Sequence, residues 1–287
     1  MKKPIIISIV NHKGGTGKTT VTHNLAVALD LVLNKKRKES KRMLIIDNDP
    51  QANMTVFLHP NPQDLKEEDT IMEIYKKQAN ENADIIMQSK FENIDFVANI
   101  YFAEDLENQL ASDYEGYLRL KFFLENQGKD YDIVIIDNHP DFGIFTKNSL
   151  LISDYVLVPA FPEMLSLVGI KQIIDNIESI KRVNANLELL GILINRFNET
   201  IKGHRKDRLQ LYKYFGEKIM ITEIHQAAAI TNAQNKRLSV AEFDKKVRAH
   251  TEFLSLAKEV ASKIGFNVKY DPDKEFAKKF DLTTEEE

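Results

Sequence analysis

No cysteine occurs anywhere in the 287 residues, which excludes disulfides and thiolate metal sites and suits a reducing compartment. Long apolar runs are missing as well. None approaches the roughly 20 residues that a membrane helix requires. Near the start, "IIISIV" (5–10) follows Lys2 and Lys3 but gives way at once to polar "NHKGG", too short for a secretory signal. The expectation is a cytoplasmic protein with no membrane partner. Excess positive charge is absent too: 39 Lys and Arg against 43 Asp and Glu leave a formal net charge of −4. Any nucleic-acid binding must therefore come from a local patch. The 11 glycines and 8 prolines form no linker, and no internal repeat is visible. These absences point to a single domain over residues 1–266, followed by a polar, acidic tail, 267–287, expected to be solvated.

What remains is ordinary for a soluble globular chain, 43% hydrophobic and 29% charged. Short apolar runs alternate with longer helical patterns, the signature of βαβ units. Strands are expected at 5–10, 43–47, 132–137, 155–160 and 188–195, with "FENIDFVANI" (91–100) as a further candidate. The runs are apolar throughout rather than alternating, which suits strands covered on both faces. Helices are expected at 17–34, where Val21, Leu25, Ala28, Leu29 and Val32 share a face, and at 104–126, 164–182 and 250–264. The fold class this predicts is α/β: a mostly parallel, twisted sheet with helices on both faces.

Between the first strand and first helix stands "NHKGGTGKTT" (11–20). A glycine-rich loop in that position lets backbone N–H groups converge on phosphate oxygens at a helix N-terminus. Gly14, Gly15 and Gly17 permit the required backbone, with Thr16 between them. Lys18 would neutralise the β- and γ-phosphates and Thr19 would offer its hydroxyl to Mg²⁺. The spacing is not that of the strict P-loop, because His12 stands where its first glycine belongs. A magnesium nucleotide site also needs carboxylates at the C-terminal ends of neighbouring strands. "MLIIDNDPQ" supplies Asp47 and Asp49, and "DIVIIDNHP" supplies Asp137 in the manner of a Walker B strand. The three motifs together predict a phosphoryl-transfer site for a magnesium-bound nucleotide.

These residues resemble the ParA/MinD family of deviant-Walker P-loop ATPases, most closely its ParA/Soj DNA-partition branch. "KGGTGKT" (13–19) matches the family's K-G-G-x-G-K-[ST] in full, "DNDPQ" (47–51) matches D-x-D-P-Q, and "IIDNHP" stands for an apolar strand ending D-T-P-P. The layout is similar from about residue 4 to 264. The resemblance implies ATP hydrolysis and a nucleotide-sandwich homodimer in which Lys13 reaches the partner's phosphates. It further implies that Asp49 positions the attacking water, Asp47 supports the Mg²⁺ shell alongside Thr19 and Asp137, Thr20 contacts the α-phosphate and Asn195 recognises adenine. Three departures stand out: Asn138-His139 replaces Thr-Pro, "NKKRKESKR" (34–42) is longer and more basic than the usual turn, and "IHQAAAITN" (224–232) lacks the basic residue of the family's Ile-Pro-Arg segment. Because the family positions water, His139 is not needed as a general base.

The branch binds DNA without sequence preference, through dimer-surface cations and in a salt-dependent way. Candidate residues here are Lys202, Arg205, Lys206 and Arg208; Lys236, Arg237, Lys245, Lys246 and Arg248; and the cations of the 34–42 insertion. The implied role is segregation of plasmid or chromosomal DNA with a ParB-like centromere-binding partner, the protein associating with the nucleoid when ATP-bound. Two alternatives stay open: a MinD-like membrane-associated ATPase, whose amphipathic basic helix the acidic "DLTTEEE" end does not resemble, and a nucleotide-gated protein adaptor.

Overall fold

The apolar runs form one eight-stranded sheet in the order β3-β4-β2-β5-β1-β6-β7-β8. The computed structural model describes residues 3–35, 40–76, 83–101 and 105–279. The strands are β1 (Ile5–Ile9), β2 (Met43–Asn48), β3 (Ile86–Gln88), β4 (Ile94–Val97), β5 (Ile133–Asn138), β6 (Tyr155–Ala160), β7 (Glu188–Phe197) and β8 (Ile224–His225). Every pairing is parallel except that of β3 with β4. The α-helices are α1 (Lys18–Leu33), α2 (Asn53–Leu58), α3 (Met72–Tyr75), α4 (Asp105–Ser112), α5 (Arg119–Gln127) and α6 (Ile144–Ile152). They continue as α7 (Met164–Lys181), α8 (Lys202–Phe215), α9 (Ala228–Asn235), α10 (Val240–Phe243), α11 (Arg248–Lys263) and α12 (Pro272–Lys279).

The two-residue alternation of the strands divides their side chains between two cores. Ile7, Ile9, Met43, Ile45, Ile133 and Ile135 face α1 and α11. On the other side Ile6, Leu44, Ile46, Val134 and Ile136 meet α3, α5 and α6, while Val156, Val158, Ile192 and Ile194 meet α7 and α8. Both faces being covered, central β2 and β5 are buried at every residue, which explains the unbroken apolar runs that precede Asp47 and Asp137. Helix α1 lies between the sheet and α11, so Thr22, His23 and Asn24 are buried along with its apolar stripe. The fold is thus the α/β class expected, with the carboxyl ends of β1, β2 and β5 side by side.

Some elements differ from expectation. The helix expected at 104–126 is two, α4 and α5, separated by a turn; a Cβ on Gly116 would collide with the carbonyl of Leu110, and Asp113 in the same turn pairs with Arg119. The strand within 91–100 spans only Ile94–Val97. In the tail, Val268 packs against the first core and α12 follows. Residues 280–287, including "DLTTEEE", lie outside the described residues, as do Lys36, Arg37 and Lys38 of the basic insertion. Among the described residues no helix is long and apolar enough to cross a membrane.

Candidate functional site

At the carboxyl end of β1 the loop 11–17 folds over the N-terminus of α1. Asn11 anchors it: its amide donates to the Pro159 carbonyl (2.6 Å), and its carbonyl accepts the Lys13 N–H (2.8 Å). Gly17 is the residue before α1, with φ +87°. That is the left-handed region, and a Cβ there would stand 2.5 Å from Asn195 Nδ2. Glycine is therefore required twice over, by dihedral and by space. The same Nδ2 donates to the Thr16 carbonyl at 2.8 Å, so β7 braces the loop from below.

Parallel register brings the acidic residues to this point. Asp47 on β2 lies directly opposite Asp137 on β5, and both are fully buried. One oxygen of Asp47 accepts from the Thr55 N–H and hydroxyl, each at 2.7 Å. Asp137 Oδ1 accepts from the Thr22 hydroxyl at 3.2 Å, while Oδ2 is buried with no partner. Burial holds both carboxyls well above the usual range; Asp137 adds repulsion at Asp47, whereas Thr19 and Lys18 draw Asp137 back down. Lys18 is itself 7% exposed, and burial pulls its ammonium down while Asp137, Asp49 and Asp141 act against the shift. An orphaned carboxylate oxygen beside Thr19, in an all-oxygen set, fits Mg²⁺, which is commonly held by one or two carboxylates together with substrate phosphates and waters.

A cleft of about 520 Å³ runs outward from here. It is lined by Gly14, Gly15, Gly17, Lys18, Thr19, Thr20 and Asp49 from the phosphate loop and β2, and by Gln226, Ala227, Ile230 and Thr231 from the segment after β8 and from α9. Thr20 Oγ accepts from Gln234 of α9 at 2.7 Å, a tie that no sequence signal marked. Asn195 lines the cleft, but its amide nitrogen serves Thr16 and its oxygen accepts the Arg196 N–H (3.0 Å). Lys13 does not line the cleft. Its Nζ sits on Glu163 Oε2 at 2.6 Å and 5.7 Å from the centroid of the Phe161 ring.

The departure at Asn138-His139 has a structural account. Asn138 is buried within a polar chain: Tyr75 OH donates to Asn48 Oδ1, Asn48 Nδ2 donates to Asn138 Oδ1, and Ser149 Oγ donates to the same oxygen (2.7, 3.0 and 2.6 Å). It thus ties β2, β5, α3 and α6 together behind the aspartates. His139 pairs with Asp141 at 3.0 Å, which raises the imidazole and lowers the carboxyl.

The basic candidates separate by whether a carboxylate pairs with them. Lys202, Arg205 and Lys206 are exposed on the first turns of α8. Lys236, Arg237, Lys245 and Lys246 are exposed around α9 and α10. Arg208, by contrast, pairs with Glu223 at 2.8 Å, and Arg248 with Glu199 and Glu252 at 3.0 and 2.7 Å. Lys41 and Arg42 likewise hold Asp132 and Asp95 (3.0 and 2.6 Å). All four thus share their charge with a carboxylate, Arg248 and Arg42 while staying 60% and 48% exposed; of these carboxylates only Glu252, one turn along α11 from Arg248, is local in sequence.

With this geometry in view, known proteins give a consistent comparison. A family model described as an AAA domain matches residues 4–189. The sporulation initiation inhibitor protein Soj of Bacillus subtilis is 31% identical over 258 residues, 90% of this chain and 98% of its own. The virulence plasmid ParA family protein pGP5-D of Chlamydia psittaci is 29% identical over 258 residues, covering 90% and 95%. Among solved structures, the septum site-determining protein MinD of Pyrococcus horikoshii, complexed with Mg-ADP, superposes with a TM-score of 0.71 at 22% identity, over 93% of this chain and all of that one. At that identity the likeness is one of fold.

Proposed function

The chain belongs to the ParA/MinD family of AAA-domain P-loop ATPases, with Soj-like partition proteins among its relatives, and from that premise we propose that it hydrolyses ATP with Mg²⁺ and segregates DNA. The observation that carries the nucleotide half is a cleft lined by Lys18 and Thr19, both of which act on the buried Asp137, whose second carboxylate oxygen has no partner.

In this reading the N–H groups of residues 14–19 hold the β- and γ-phosphates, and Lys18 balances their charge. Thr19 and Asp137 hold Mg²⁺, with Asp47 behind them. The ion supplies charge neutralisation on the transferring phosphoryl group. Asp49, 5% exposed at the cleft wall, orients the attacking water. Thr20 meets the α-phosphate while held by Gln234. Asn195 acts on the nucleotide through the loop it braces. Lys13 leaves Glu163 to reach the phosphates of a second copy, so that ATP joins two chains face to face. Exposed cations of α8 and of the α9–α10 region then lie on a doubled surface that binds DNA backbone without sequence preference, and a ParB-like centromere-binding protein selects the cargo. The protein acts in the cytoplasm, on the nucleoid when ATP-bound.

Sedimentation velocity tests this directly. Asp49→Ala with Mg-ATP should sediment as a dimer and hydrolyse nothing; Lys13→Ala should remain a monomer. A chain that stays monomeric in every nucleotide state, with turnover blocked, overturns the sandwich reading.

A further inference from the structure

Two stretches of sequence that the ATPase layout leaves over, the basic insertion 34–42 and the tail 267–287, meet at one groove. It lies between the last turn of α1 and helix α11, with a volume of about 1070 Å³. Asn34 and Lys35 of the insertion and Asn267, Val268 and Lys269 of the tail line it together. Val32, Leu254 and Val268, half-buried against the first core, form its apolar part. Lys35, Lys245, Lys258 and Lys269 stand around them, all exposed. Among the described residues none of these four pairs with a carboxylate. Asp30 is in the lining too, but its Oδ1 already accepts from the amides of Asn34 and Asn93, at 2.6 and 2.9 Å. Like charges gathered around one groove repel, and an anion placed among them relieves that repulsion.

The tail carries the complementary chemistry. Beyond Lys279 its sequence is "FDLTTEEE" (280–287). Asp281, Glu285, Glu286 and Glu287 answer the four lysines, and Phe280 and Leu282 answer the apolar part. Reach is sufficient as well. Lys258, Val268 and Lys269 also line a second depression, of about 440 Å³, with Lys274 and Glu275 from the first turn of α12. Helix α12 therefore starts beside the groove. Its 8 residues rise about 12 Å. An extended stretch of the same length spans up to about 27 Å, more than enough to return along the helix.

We propose that the groove between α1 and α11 seats the acidic tail, residues 280–287 of the same chain, and that the seated tail shields the four lysines from other anions. A partner joined through the chain competes at an effective concentration on the order of millimolar. Lys245 is among the shielded cations, one of those proposed above to meet DNA. The docking itself does not depend on the cleft being an ATP site.

Carbodiimide coupling tests it, because it joins a carboxylate to a lysine only where the two touch. Full chains mixed from unlabelled and heavy-nitrogen cultures separate contacts within a chain from contacts between copies. In low salt, mass spectrometry should find Asp281, Glu285, Glu286 or Glu287 joined to Lys35, Lys245, Lys258 or Lys269 within one isotope, and high salt should abolish these products. Products between isotopes would give the groove to a second copy, and products confined to other lysines would show that the tail sits elsewhere; either overturns the inference. A fluorescent peptide of sequence FDLTTEEE is the second probe. Asp281→Asn, Glu285→Gln, Glu286→Gln and Glu287→Gln together should tighten its binding about tenfold, because the competing tail is gone. Adding Lys35→Gln, Lys245→Gln, Lys258→Gln and Lys269→Gln should abolish it without lowering the melting temperature, since these lysines are exposed. Equal peptide affinity before and after neutralising the tail overturns the inference too. The coupling arm uses the unaltered protein, so it decides the matter even where a variant fails to fold.

Discussion

Gly17 and Asn195 are 178 positions apart in sequence, yet their energetics should be coupled. Gly17→Ala puts a Cβ at φ +87°, a strain of about 2 kcal/mol. The same Cβ would stand 2.5 Å from Asn195 Nδ2, so the amide must move and its bond to the Thr16 carbonyl is lost, adding about 1 kcal/mol. Asn195→Ala removes that bond and the one from the Arg196 N–H, about 2 kcal/mol together. The Thr16 bond is common to both changes and can be lost only once. The double variant should therefore lose about 4 kcal/mol rather than about 5, a coupling near 1 kcal/mol, well beyond the scatter of independent sites. Urea unfolding of the four proteins, read by midpoint at constant slope, measures it. Costs that add within about 0.3 kcal/mol would refute the claim that the β7 amide and the phosphate loop share this contact.

Three further expectations follow from packing and charge. His23 is buried against Phe57 with Nε2 unpartnered, and burial pushes its imidazole down to about 4. Below the ordinary value the unfolded chain binds a proton that the folded chain refuses, so stability falls as pH drops from about 6.5 towards 4; wild type should lose about 3 kcal/mol relative to His23→Leu across that window, and parallel pH curves would refute it. Glu259, fully buried on α11, accepts the N–H groups of Ile221 and Thr222 at 2.8 Å each, so Glu259→Ala should cost about 3 kcal/mol by chemical denaturation; a cost under about 1 kcal/mol would show that those groups find water. Reversing Lys202, Arg205 and Lys206 to Glu should weaken ATP-dependent DNA retention and flatten its salt dependence without lowering the melting temperature. The same reversal at Arg208 should instead destabilise the fold, because it sets two carboxylates against each other at Glu223.

The parts legible in the sequence were those where local pattern and local structure have the same cause. Strands β1, β2 and β5 were plain because burial on both faces demands unbroken apolar runs, and the phosphate loop because its backbone demands glycine at fixed spacing. Helix α6 was missed: "IFTKNSLLI" buries Thr146, Asn148 and Ser149 beside its apolar residues, so no polar face marks the period. The break between α4 and α5 depends on Gly116 passing close under Leu110, a tertiary fact. At the site, the aspartates were found by position, whereas the grip of Gln234 on Thr20 arises from chain segments brought together only by folding.

The resting place of Lys13 has a consequence for switching. Its ion pair with Glu163 is about half exposed on both sides, 48% and 43%. Pairs so well hydrated contribute about 0–1 kcal/mol. Exchanging Glu163 for another anion therefore meets almost no threshold, and the carboxylate left behind keeps its water. The lysine is docked without being locked: its side chain can follow the arrival of a stronger anion, but its release cannot by itself set the pace of assembly.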